Sequence, residues 1–123
     1  MKSNSYHFVL QDKSDYRDLA PVFPDILKII FSENGHFVSP EEEESREMFI
    51  ELNMADLEKN SKPEGYNRKA LYRLLFPIGR KEFYIKTYSG KMSDVKRIGE
   101  MISEMLSTAK VKFEVKENFE MDF

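Results

Sequence analysis

Between Ala70 and Tyr88 apolar and polar residues alternate on both sides of one turn. Ala70, Tyr72, Leu74 and Phe76 alternate with Leu71, Arg73 and Leu75, and Phe83 and Ile85 alternate with Tyr84, Lys86 and Tyr88. Phe76-Pro77-Ile78-Gly79 lies between them, with Pro presetting φ and Gly easing the exit. Period-two alternation about a turn predicts an antiparallel hairpin over 70–88. Ala, Leu and Arg also favour helix, but the first arm is short and abuts the turn, which favours a strand. The next stretch changes period. Val95, Ile98, Met101, Ile102, Met105 and Leu106 recur at spacings of three and four, opposite Lys96, Arg97, Glu100, Ser103 and Glu104. This predicts an amphipathic helix over about 93–107, capped by Ser93 with Asp94 in its first turn. Gly99 inside it costs about 1 kcal/mol relative to Ala, and close packing against the sheet accounts for it.

The remaining elements are read in chain order. Tyr6-His7-Phe8-Val9-Leu10 is a short strand. Asp15 or Asp18 is a candidate helix start, complicated by Pro21 and Pro24. A helix over about 24–33 carries Ile26, Leu27, Ile29, Ile30 and Phe31 and ends at Asn34-Gly35. His36-Phe37-Val38 reads as a short extended piece, and Ser39-Pro40-Glu41-Glu42 as a helix start. Beyond it Met48, Ile50, Leu52 and Met54 alternate with Glu47, Glu51 and Asn53. On a helix these apolar residues spread around the whole circumference; on a strand they line one face. The alternation predicts one helical turn near residue 40 and a strand over 46–54. Residues 55–67 form a long polar connection. Val111, Phe113 and Val115 mark a half-buried last strand, and the acidic Phe-containing tail from Glu117 to Phe123 frays or docks.

These elements define an α+β fold: a small antiparallel sheet, a meander around the 70–88 hairpin, packed with two main helices at about 24–33 and 93–107. The 123 residues fit a single domain over 1–123. A hydrophobic fraction of 41% against 33% charged residues supports a core without cross-links. The absence of Cys excludes disulfides, Cys-ligated zinc and a thiol nucleophile. No apolar run resembles a signal peptide or a membrane span, so the expectation is a soluble, cytoplasmic protein with no membrane partner.

Charge changes the picture more than composition does. Residues 33–58 hold nine acids and one base, a net of −8, and residues 66–99 hold nine bases and two acids, a net of +7. The simplest expectation is that the two regions face each other and cancel.

Candidate chemistry is sparse. His7 and His36 have no partner placed by spacing, so neither a metal site nor a general base follows. Glu41–Glu44 lacks the alternating ligands of a calcium loop and reads as a solvated acidic face. Ser89-Gly90-Lys91-Met92-Ser93 lacks the earlier glycine of a phosphate loop. No cofactor, metal ligand set or catalytic residue is assigned. What remains is the sheet face turned away from the helices. Phe49, Glu51, Arg73, Tyr84, Lys86 and Tyr88 are assigned to it as a partner-binding set, because aromatic and Arg side chains anchor interfaces. The reading is a non-enzymatic protein-binding domain of the inhibitor, immunity or adaptor kind, with another protein or a second copy as partner. The alternative uses the basic, Tyr-containing 66–99 region to bind single-stranded nucleic acid.

Overall fold

The computed structural model describes residues 3–35, 40–67, 70–88 and 91–118, without the side chains of residues 40–43. The pieces read at 36–38 and beyond residue 118 lie outside the described residues, as do Ser89-Gly90 and the side chains of Glu41–Glu43. The order is β1 (Asn4–Leu10), a 3₁₀ turn (Tyr16–Leu19), α1 (Phe23–Glu33), α2 (Pro40–Glu58), β2 (Arg73–Leu75), β3 (Glu82–Thr87), α3 (Met92–Thr108) and β4 (Phe113–Glu117). The class is α+β, with one antiparallel sheet of four strands in the order β2-β3-β1-β4. β2 and β3 form the hairpin. β1 inserts between β3 and β4, with Tyr6 opposite both Ile85 and Glu117.

One side of the sheet is apolar because the inward residues are aromatic or branched. Tyr6, Phe8, Leu74, Phe83 and Ile85 are buried there against Ile26, Leu27 and Ile30 of α1 and Val95, Ile98 and Ile102 of α3. An aromatic row crosses this layer: Phe23 to Phe76 at 5.7 Å, Phe76 to Phe83 at 5.3 Å and Phe83 to Phe8 at 4.7 Å between ring centroids. Offset and tilted pairs of this kind add to the burial term. A bidentate ion pair from Arg97 to Glu33, at 2.7 and 3.0 Å, ties α3 to the end of α1.

α1 starts with Pro in its first turn and ends at Asn34 and Gly35, whose φ of 60° is the left-handed exit glycine permits. The 3₁₀ turn is capped by Asp15, which accepts from the Tyr16 N–H while Asp18 accepts from the Asp15 N–H. α3 begins one residue before the predicted cap: Lys91 stands at the N-cap position, and Ser93 lies inside the first turn.

The predicted strand over 46–54 is a correction: those residues belong to α2, a 19-residue helix. Two kinds of residue defeat the pattern. The fully buried position is taken by Asn53 as well as by Leu57, while Met48 and Leu52 stand outside, each 59% exposed. Phe49 and Ile50 are half-buried on the inner side. The apolar residues therefore circle the helix, and high helix propensity in Glu, Met, Leu and Ala decides the conformation.

Asn53 explains its own burial. Its side chain accepts from the Gly65 N–H at 2.7 Å and donates to the Gly65 carbonyl at 3.2 Å and the Phe49 carbonyl at 2.8 Å. Asn34 repeats the arrangement on Tyr72, accepting from its N–H at 2.7 Å and donating to its carbonyl at 3.1 Å. The long connection after α2 is thereby anchored, and Tyr66 within it packs edge-on against Phe31 and Phe49.

Two stability tests follow. A methyl group on Gly99 would collide with the Tyr6 ring, which is itself buried in the core. Gly99→Ala therefore lowers stability by about 1–3 kcal/mol, although the same change in an open helix gains about 1 kcal/mol. Urea denaturation checks the sign. Asn53→Ala leaves a buried N–H and a buried carbonyl of Gly65 without partners and costs about 2–4 kcal/mol by the same measurement. Unchanged stability in that variant would remove the anchoring role.

Candidate functional site

The sheet's second face has a buried polar centre and an exposed basic corner. The centre comes from β1 and β3, where Ser5, His7, Glu82 and Tyr84 share the face opposite the core. His7 is 1% exposed and lies stacked on Tyr84, with ring centroids 4.5 Å apart. His7 Nε2 lies 2.8 Å from the Ser5 hydroxyl oxygen and Nδ1 lies 3.2 Å from Glu82 Oε2. In the neutral tautomer with its proton on Nδ1, the imidazole donates to Glu82 and accepts from Ser5. Burial, then the charges of Lys86 and Lys116, lower the His7 pKa to about 4. Burial also raises the Glu82 carboxyl, against the opposing pull of Arg80 and Lys116. Tyr84 is pushed up to about 12 by burial, then by Tyr88 and Glu82.

Hydroxyl to imidazole to carboxylate is the connectivity of an acyl-transfer relay. Two observations speak against that chemistry. A nucleophile has to reach a substrate carbonyl, and Ser5 is only 7% exposed. An imidazole with a pKa of about 4 is a poor base for a hydroxyl proton near neutral pH. Two cavities lie elsewhere, one between α1 and α3 beside Val22, Ile29, Met101 and Met105, the other beside Lys110, Val111 and Phe113. Among the described residues no cluster of three His, Asp or Glu groups is arranged to hold a metal. The centre is a structural polar network that joins β1 to β3. Spacing alone did not reveal it, because Glu82 is 75 residues from His7 and meets it only through strand pairing.

The corner is where part of the predicted set converges. Arg73 of β2 lies directly opposite Lys86 of β3. The Arg73 guanidinium carbon is 5.3 Å and Lys86 Nζ is 4.9 Å from the centroid of the Tyr88 ring, which is 43% exposed. Arg73 Nε is buried and has no hydrogen-bond partner. Neither cation forms an ion pair among the described residues.

The other three predicted residues do not join this corner. Tyr84 is 3% exposed and belongs to the buried centre, so it offers no free ring for stacking. Phe49 and Glu51 sit on α2, since the strand that was to bring them onto the sheet is a helix. Phe49 packs against Tyr66, and Glu51 is exposed.

Among the described residues the two charge regions do not pair as expected. Glu33–Arg97 is the ion pair found between them among the described residues. The described carboxylates of α2, including Glu44, Glu47, Glu51 and Glu58, form none. No described helix is long and apolar enough to cross a membrane. Comparison with protein-family models, curated proteins and solved structures finds no match to this chain.

The polar centre carries a pH prediction. The folded His7 pKa lies below its ordinary value of 6.5, so the unfolded chain binds more protons between about pH 4 and 6.5. Its contribution is complete above 6.5 and is lost as pH falls through about 4, by at most about 3 kcal/mol. Glu82, raised in the fold, opposes this as it takes up a proton. Asp15 and Glu33 are lowered by hydrogen bonds, first to Asn60 and to Arg97 respectively, and add their loss at more acid pH. His7→Gln flattens the fall in urea midpoint between pH 6.5 and 4; an unaltered slope would place the effect elsewhere.

Proposed function

We propose that this chain is a non-enzymatic protein-binding module of the inhibitor, immunity or adaptor kind that engages an acidic protein surface through Arg73, Lys86 and Tyr88. The supporting observation is the like-charge pair Arg73 and Lys86 placed directly opposite each other beside one exposed ring. Like charges in that register destabilise a sheet. No described carboxylate relieves them, whereas a partner's carboxylate lowers the repulsion. Tyr and Arg are also the side chains on which binding energy concentrates. The nucleic-acid alternative is less well supported, since of Tyr84 and Tyr88, the two sheet rings on which bases would stack, Tyr84 is buried.

A benzophenone side chain in place of Tyr88, expressed in the native host and irradiated, tests this. We expect a protein adduct that disappears when Arg73→Glu and Lys86→Glu are added. An adduct removed by nuclease rather than protease would transfer the corner to nucleic acid. No adduct at all would leave the corner without a binding role.

A further inference from the structure

The acidic face of α2 is the counterpart of the basic corner. Met48 and Leu52 lie one turn apart and are each 59% exposed, the most exposed large apolar side chains on any helix among the described residues. Glu44, Glu47, Glu51, Ala55 and Glu58 are exposed around them on the same helix. An apolar pair one turn apart, rimmed by carboxylates, is a helix face suited to docking on an aromatic, basic surface. The corner is such a surface, with the exposed Leu71 close by in sequence. Among the described residues neither surface has an ion-pair partner, and both belong to every copy of the chain.

We infer that the partner is a second copy of this chain, with the Met48–Leu52 face of α2 in one copy seated on the Arg73–Lys86–Tyr88 corner of the other. This rests on the corner being a protein-binding surface, and it names what binds there. Charge complementarity selects the occupant: carboxylates of α2 meet the cations that face each other across β2 and β3, and Met48 and Leu52 meet Tyr88. Because the two surfaces differ, a two-fold pair uses each of them twice. If the geometry does not close, the same contact builds an open chain of copies.

A charge exchange tests the contact. Sedimentation equilibrium of the wild type at low salt shows reversible association that weakens as salt rises. Glu47→Lys with Glu51→Lys, and separately Arg73→Glu with Lys86→Glu, each weaken association by about 10-fold or more. Glu47 and Glu51 are exposed and Arg73 and Lys86 half-buried, and far-ultraviolet circular dichroism checks that each variant is folded. Mixing the two variants restores association, because the changed helix matches the changed corner and the intact helix matches the intact corner. Loss without restoration on mixing overturns the proposed contact. A wild type that stays monomeric at every concentration overturns the second copy as partner. The Tyr88 adduct separates the two failures: a protein adduct with a different chain leaves the corner's role standing, while no protein adduct removes both.

Discussion

The sheet depends on the insertion of β1 between β3 and β4. Both edges of β1 are hydrogen-bonded, and the paired residues are distant in the chain, as Tyr6 is from Ile85 and from Glu117. Both faces of β1 are buried as well. Tyr6, Phe8 and Leu10 enter the apolar core, while Ser5 and His7 enter the polar network with Glu82. A one-residue slip would exchange these sets, placing Phe8 and Tyr6 against carboxylate and hydroxyl, and His7 against Ile98 and Ile102. The register is thus specified twice, by apolar burial on one side and by hydrogen bonds on the other. Gly99 lets α3 approach Tyr6 closely on the apolar side. Such non-local pairing is slow to form.

Asparagine does for the irregular segments what strand pairing does for the sheet. The side-chain amide has the same donor and acceptor as a peptide group. Asn53 pairs in this way with Gly65, and Asn34 with Tyr72. At the sheet's end the Ser5 N–H donates to the Asn118 side chain, and the Asn118 N–H donates to the Ser5 carbonyl. Asn60 accepts from the Arg17 N–H and donates to Asp15, joining the turn after α2 to the 3₁₀ turn. Buried loop backbone needs partners, and here side chains provide them where no strand can.

The alternation and the helical period made β1, α1, the hairpin, α3 and β4 legible, because in each the positions facing the core are mainly apolar. α2 was not legible for the opposite reason. Its inward side contains Asn53, buried by what it binds, and its outward side contains Met48 and Leu52. A pattern that equates apolar with buried reads such a helix as a strand. The candidate site divides in the same way. Arg73, Lys86 and Tyr88 could be placed together from the sequence because they share one hairpin, where register follows from the turn. The Ser5–His7–Glu82 network was missed because its members meet across strands whose order the sequence left open.

The two departures of α2 from its expected pattern are mechanically linked. Asn53 and Phe49 hold one side of the helix against Gly65 and Tyr66, and this fixes its rotation about its own axis. With that rotation fixed, Met48, Leu52 and Glu51 have to face outward. A Leu at position 53 would satisfy the helical period but leave Gly65 unbound, and the helix would be free to roll its apolar residues inward. The buried amide thus preserves an exposed apolar and acidic surface that packing alone would hide. Asn53 is compensated by its hydrogen bonds, but two large apolar residues left outside, Met48 and Leu52, forgo their burial free energy. That loss has a physical return if the exposed surface is used, and the conflict in the pattern of α2, more than any single side chain, is what supports the contact proposed for this helix.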